Sequence, residues 1–128
     1  KKFDLIYIDG LHTYEQTIND IKNSLNFLNE DGIILLHDCL PKKIWNQVVP
    51  RIYGHWNGDV WKAIVEARTM KNLDTFTIIA DHGLGLIRKK KNTNIHVMEH
   101  NYLHIAIEFE FSKWFNLSNQ ILYLQNSN

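Results

Sequence analysis

Cysteine is almost missing from these 128 residues: Cys39 stands alone, so no internal disulfide can form and a reducing compartment, the cytoplasm, is the expected home. Net charge is missing as well. Fourteen Lys and Arg balance fourteen Asp and Glu, and without a long-range field neither nucleic acid nor an anionic membrane is an expected partner. Long hydrophobic runs are lacking too. The longest unbroken aliphatic run, Ile33-Ile34-Leu35-Leu36, is far short of the roughly 20 apolar residues that span a bilayer. Lys1 and Lys2 precede a stretch cut by Asp4 and Asp9, which does not read as a secretory leader.

A composition 45% hydrophobic and 22% charged is that of an ordinary core-forming protein. The length suits one domain over residues 1–128, with sheet and helices in 1–91 and a tail in 92–128. Phe3 to Ile8 is a β-prone run closed by Asp9-Gly10, hence a strand. Thr13 and Gln16 have capping-box spacing, and Tyr14, Ile18, Ile21, Leu25 and Leu28 recur at helical period, which predicts a helix over about 13–28. Asn29-Glu30-Asp31-Gly32 should break it before a strand at Ile33–Leu36, apolar enough to be covered on both faces. Strand, helix and strand at this spacing form a βαβ unit with parallel strands and a right-handed crossover.

Beyond Cys39 the pattern dissolves, with a short helix expected near 44–48. A second helix is expected over about 58–70, capped by Asn57 or Asp59. Thr75–Ala80 and Leu84–Arg88 around the turn Asp81-His82-Gly83 predict an antiparallel hairpin, and the basic run Arg88 to Lys91 reads as a solvated turn. In the tail, alternation of Ile105, Ile107, Phe109 and Phe111 competes with a Gly- and Pro-free length; helix is the expectation there.

Ligands of open parallel sheets bind beyond the carboxyl ends of the strands, and Asp9 and Asp38 both fall at such ends. On neighbouring strands, about 4.8 Å apart, two carboxylates can share one cation or one substrate hydroxyl. His12 follows Asp9 by three positions and His37 directly precedes Asp38. Oxygen ligands suit Mg²⁺, and a histidine among them favours Mn²⁺, Fe²⁺ or Zn²⁺; a histidine is also a natural proton acceptor. The residues alone leave a plainer reading open, in which Asp9-Gly10 is turn chemistry, His12 a helix cap and His37 a core residue.

The segments Phe3-Asp4-Leu5-Ile6-Tyr7-Ile8-Asp9-Gly10-Leu11-His12-Thr13-Tyr14 and Leu28-Asn29-Glu30-Asp31-Gly32-Ile33-Ile34-Leu35-Leu36-His37-Asp38, with Asp20 between them, resemble the second half of class I S-adenosylmethionine-dependent methyltransferases. They are most similar in flavour to the small-molecule O-methyltransferases. Asn57 to Ile64 and Asp81 to Ile87 resemble bacterial members associated with sugar or natural-product modification, so the resemblance spans Phe3 to Arg88. It implies an α/β fold, a partial Rossmann-like methyltransferase sheet with parallel strands and a C-terminal antiparallel hairpin. It further implies S-adenosylmethionine as cofactor, bordered by Asp9 and Gly10, and a hydroxyl of a small molecule or sugar as acceptor. Mg or Mn is the implied metal, on Asp9, Asp38 and His37, with His12 as the base. Two departures stand out: Cys39 falls where metal-dependent relatives supply an amide ligand, and His12 where they place a lysine.

The chain starts at what would be the family's fourth strand and lacks its glycine-rich cofactor loop. The expectation is therefore a C-terminal half whose parent methylates and which is inactive alone. A non-catalytic interaction or dimerisation module stays open as the alternative. With its usual neighbour missing, Phe3–Ile8 becomes an edge strand that seeks a partner, and a homo-oligomer through that strand, or cover from the tail, is expected.

Overall fold

A computed structural model describes residues 1–93 and 95; the helix expected in the tail lies outside the described residues. Seven elements follow one another: β1 (Phe3–Ile8), α1 (Tyr14–Phe27), β2 (Leu28–Leu36), α2 (Ile44–Gln47), α3 (Trp61–Ala67), β3 (Asp74–Ile78) and β4 (Leu84–Arg88). The strands form one mixed sheet in the order β1-β2-β4-β3. β1 and β2 are parallel, with Ile8 opposite Leu36, while β4 runs antiparallel to both β2 and β3. The expected fold class, an α/β sheet with a parallel pair and an antiparallel hairpin, is thus present. Among the described residues no helix is long and apolar enough to cross a membrane.

One face of the sheet is closed. Ile8, Ile34, Leu36 and Ile87 pack with Ile18 and Ile21 of α1 and with Ala63, Ile64 and Ala67 of α3. Ile21 and Ile34 are fully buried, and removal of such side chains from water is the main source of stability here. The alternate positions face the other way: Phe3, Leu5, Tyr7, Phe76 and Ile78 are exposed, and Ile33 and Leu35 are half-buried. The expectation that Ile33–Leu36 is covered on both faces is corrected on that point within the described residues.

Three boundaries also differ from expectation. The turn expected at 29–32 lies inside β2: Phe3 pairs with Leu28 but Leu5 with Ile33, so these residues bulge from a ladder that the strand resumes. Thr13 makes no side-chain cap for α1. That role falls to Asp59, whose Oδ1 accepts the Tyr14 amide at 2.5 Å. The other Asp59 oxygen pairs with Lys62 Nζ at 3.3 Å, and α3 begins at Trp61 after a turn and ends at Ala67. β3 likewise ends at Ile78, because Ala80 closes the hairpin turn by taking the Gly83 amide at 2.7 Å.

Candidate active site

The parallel register that sets Ile8 beside Leu36 brings the loops after them together. The antiparallel register of Leu36 with Gly85 adds the β3–β4 turn to the same place. Asp9, His12 and Asp38 meet there, each offering one ligand atom within 4.8 Å of the others. Asp38 is buried and Asp9 partly exposed.

His12 is fixed by its surroundings. Its Nδ1 lies 2.8 Å from the Trp56 carbonyl oxygen, which can only accept, so Nδ1 carries the proton. In the neutral ring Nε2 is then bare, and it points at Asp9 Oδ1 (3.3 Å) and Asp38 Oδ2 (3.2 Å). Three electron-pair donors converge on one point, an arrangement that a proton or a metal cation relieves. The Trp56 ring stacks on His12 at 5.5 Å between centroids and shields that side of it.

Asp38 is held from behind. Asn57, itself buried, donates to Asp38 Oδ1 at 2.6 Å, and the Asn57 amide is anchored on the Asn46 carbonyl at 2.7 Å. The loop carrying Trp56 and Asn57 can lie this close because position 58 has no side chain: a Cβ on Gly58 (φ +65°) would fall 1.6 Å from the His12 carbonyl oxygen.

His37 sits among carboxylates. Its Nδ1 is 3.0 Å from Asp38 Oδ2 and 3.5 Å from Asp9 Oδ1, and its Nε2 is 3.2 Å from Asp81 Oδ2. Burial lowers the pKa of this imidazole, but the charge of Asp38 and hydrogen bonds to Asp38 and Asp81, with Asp9 adding its charge, outweigh it and the pKa is raised. Asp9, Asp38 and Asp81 bring three carboxylates to this one place, a set that a divalent cation complements. The donor set fits such an ion: two oxygens and one imidazole nitrogen, with the other imidazole N–H fixed by a carbonyl, as outer-shell partners fix metal-bound histidines.

Backbone strain is concentrated at the same point. Among the described residues the non-glycine positions with left-handed φ are Asp38 (62°), Asp81 (41°) and His82 (65°). Asp and His tolerate this region better than most residues, and such conformations cluster where function over-determines the backbone. The Asp81-His82 turn is tied down by the Cys39 amide on the Gly83 carbonyl (3.0 Å) and the Leu40 amide on the His82 carbonyl (2.8 Å).

Two hollows flank the cluster. One, of about 530 Å³, is lined by Asp9, His12, His37, Asp38, Trp56 and Asp81 together with Arg51, His55 and His82. The other, of about 510 Å³, runs between β1 and α1, with Gly10 and Asp20 at its end. Asp9 lines both.

All the residues read from sequence as site candidates, Asp9, Gly10, His12, His37 and Asp38, therefore border this region. Cys39 does not: its thiol donates to the Leu36 carbonyl inside the core at 3.3 Å, and burial pushes its pKa up to about 12. Sequence reasoning missed Asn57, Asp81, His82, His55 and Arg51 as site residues. For Asp81 and His82 a usable signal existed in the placement of an acid and a histidine at a hairpin turn.

Residues 1–39 match a family model described as a methyltransferase domain. The fold is similar to that of the crystal structure of the SAH-bound Podospora anserina methyltransferase PaMTH1, with a TM-score of 0.55 and 24% identity over 71% of this chain and 43% of that one. The chain thus spans less than half the length of that enzyme. No curated protein matches it. The resemblance to methyltransferases is therefore supported over residues 1–39 by the family match, and the fold is one that a methyltransferase shares.

Proposed function

We propose that this chain forms the acceptor-side half of an S-adenosylmethionine-dependent methyltransferase that methylates a hydroxyl of a small molecule or sugar, with Asp9, His12 and Asp38 holding a divalent metal, Mn²⁺ before Mg²⁺. The observation that carries the reading is the His12 ring. Its Nδ1–H is committed to Trp56, and its Nε2 is aimed between two carboxylates.

Asp9 divides the labour. The hollow between β1 and α1, with Asp9 and Gly10 at its end, suits the cofactor. The hollow over His12 suits the acceptor, whose oxygen would face the sulfonium methyl across Asp9 for an in-line attack. The new bond joins that oxygen to the methyl carbon, the carbon–sulfur bond breaks to leave a neutral thioether, and the hydroxyl proton passes to solvent water. A bound divalent ion would supply the charge that makes the hydroxyl acidic. His37, held by Asp9, Asp38 and Asp81, keeps the acids in place, and Trp56 keeps water off the ring of His12.

The same tautomer favours a metal-free variant of this reading, in which His12 Nε2 takes the hydroxyl proton directly. Calorimetric titration of the chain with S-adenosylmethionine, alone and with Mn²⁺, tests the proposal. Heat of binding for the cofactor that grows with Mn²⁺ supports it. Mn²⁺-independent cofactor binding selects the metal-free variant, and no binding of either leaves the interaction module as the function.

We also propose that β1, an edge strand among the described residues with exposed Phe3, Leu5 and Tyr7, pairs with a second copy of the chain. Sedimentation to a dimer with slow amide exchange at residues 3–8 supports this; a monomer exchanging freely there refutes it.

A further inference from the structure

The acceptor hollow also carries side chains of the opposite chemistry. Arg51, His55 and His82 line it, and the rings of His55 and His82 lie 4.1 Å apart. Those two rings are shared with a third hollow of about 330 Å³, lined by Lys42, Lys43, Trp45 and Tyr53 and by no acidic side chain. Trp45 and Tyr53 stack with centroids 6.4 Å apart, and the Lys43 ammonium lies 5.2 Å from the Trp45 ring centroid. Among the described residues no carboxylate pairs with Lys42, Lys43 or Arg51, in contrast to Lys62, Arg88, Lys89 and Lys90, each of which has one. In a chain of zero formal charge, Arg51 in the one hollow and Lys42 and Lys43 in the other, with His55 and His82 lining both, are three cations without a carboxylate partner along a concave surface, which favours positive potential there. His82 is presented there by a left-handed backbone that its own carbonyl secures to Leu40.

We propose that the acceptor carries an anionic oxygen group, a phosphate or a carboxylate, which lodges against Lys42, Lys43 and Arg51 with His55 and His82, while its hydroxyl reaches Asp9 and His12. The inference rests on the reading of the hollow over His12 as the acceptor side. Acids in the first hollow and cations shared between it and the third select a molecule with two ends: a neutral hydroxyl at one and a negative charge at the other. A neutral sugar satisfies only the first, and it would leave Lys42, Lys43 and Arg51 without an anionic partner among the described residues. The aromatic pair offers an apolar platform to the body of the molecule between those ends.

The test uses the metal-free chain, so that phosphate cannot report on a bound metal. Inorganic phosphate, a hexose phosphate, a hexuronic acid and the neutral hexose are titrated by calorimetry into the wild type and into the double variant Lys43→Gln/Arg51→Gln. The hexose phosphate or the hexuronic acid should bind at least about tenfold more tightly than the neutral hexose, as charge-assisted hydrogen bonds require, and whichever binds better identifies the anion. The double variant should lose that preference while its Mn²⁺ affinity stays at the wild-type value. Equal binding of neutral and anionic hexoses, or a preference that survives in the double variant, overturns the inference and leaves the metal site standing. Loss of Mn²⁺ binding in the wild type with the anion preference intact overturns the metal site alone.

Discussion

The bodies of the strands and their carboxyl ends are built on opposite principles. Within the sheet, Ile34, Leu36 and Ile87 are buried among aliphatic side chains with regular backbone pairing. One residue beyond Ile8 and two beyond Leu36, the chain gathers acids and histidines and left-handed backbone at Asp38. The first region lowers free energy by removing hydrocarbon from water. The second holds like charges together and is stable only because the first region positions it. Stability and chemistry are therefore separable by substitution, except at the few positions where the two regions touch.

Gly58 is such a position, and Gly58→Ala should have the largest effect. The added methyl would meet the His12 carbonyl at a distance no packing tolerates, on a backbone that disfavours side chains. A loss of more than about 4 kcal/mol in denaturant unfolding, with no metal binding in what remains folded, is expected. Ile34→Ala stays within the strand body and should cost about 3 kcal/mol while Mn²⁺ affinity is unchanged. Asp38→Asn reverses the emphasis: Mn²⁺ affinity should fall at least about 100-fold, with a smaller loss of stability than at Ile34, since Asn keeps an oxygen to accept from Asn57.

The smallest effect is at Cys39. Its folded pKa is raised by burial from 9.0 to about 12, so above pH 9 the unfolded chain releases a proton that the folded chain keeps. Stability must then fall as pH rises through that range. Cys39→Ala should flatten the alkaline slope of unfolding free energy, and the native thiol should resist iodoacetamide at neutral pH.

How much of this was legible in sequence follows from the range of each signal. The βαβ unit was readable because period and turn chemistry are local, and the same locality placed Asp9, His12, His37 and Asp38 together. The partners of those residues were not. Trp56 reaches His12 across 44 positions and Asn57 reaches Asp38 across 19, from a segment without period whose path depends on Gly58. The hairpin was visible, but not that β4 rather than β3 pairs with β2, and only that choice carries Asp81 and His82 to His37. Asp59 shows the same limit: its cap was assigned to the nearest helix and is given to a distant one.

The most direct test of the account is Mn²⁺ titration of the chain, by calorimetry with electron paramagnetic resonance of the free ion, for wild type and His12→Ala. One ion bound per chain by the wild type and at least about tenfold weaker binding by the variant is the predicted result. Equal affinity in the two proteins, or no binding by the wild type, contradicts the claim that Asp9, His12 and Asp38 meet as a cation site.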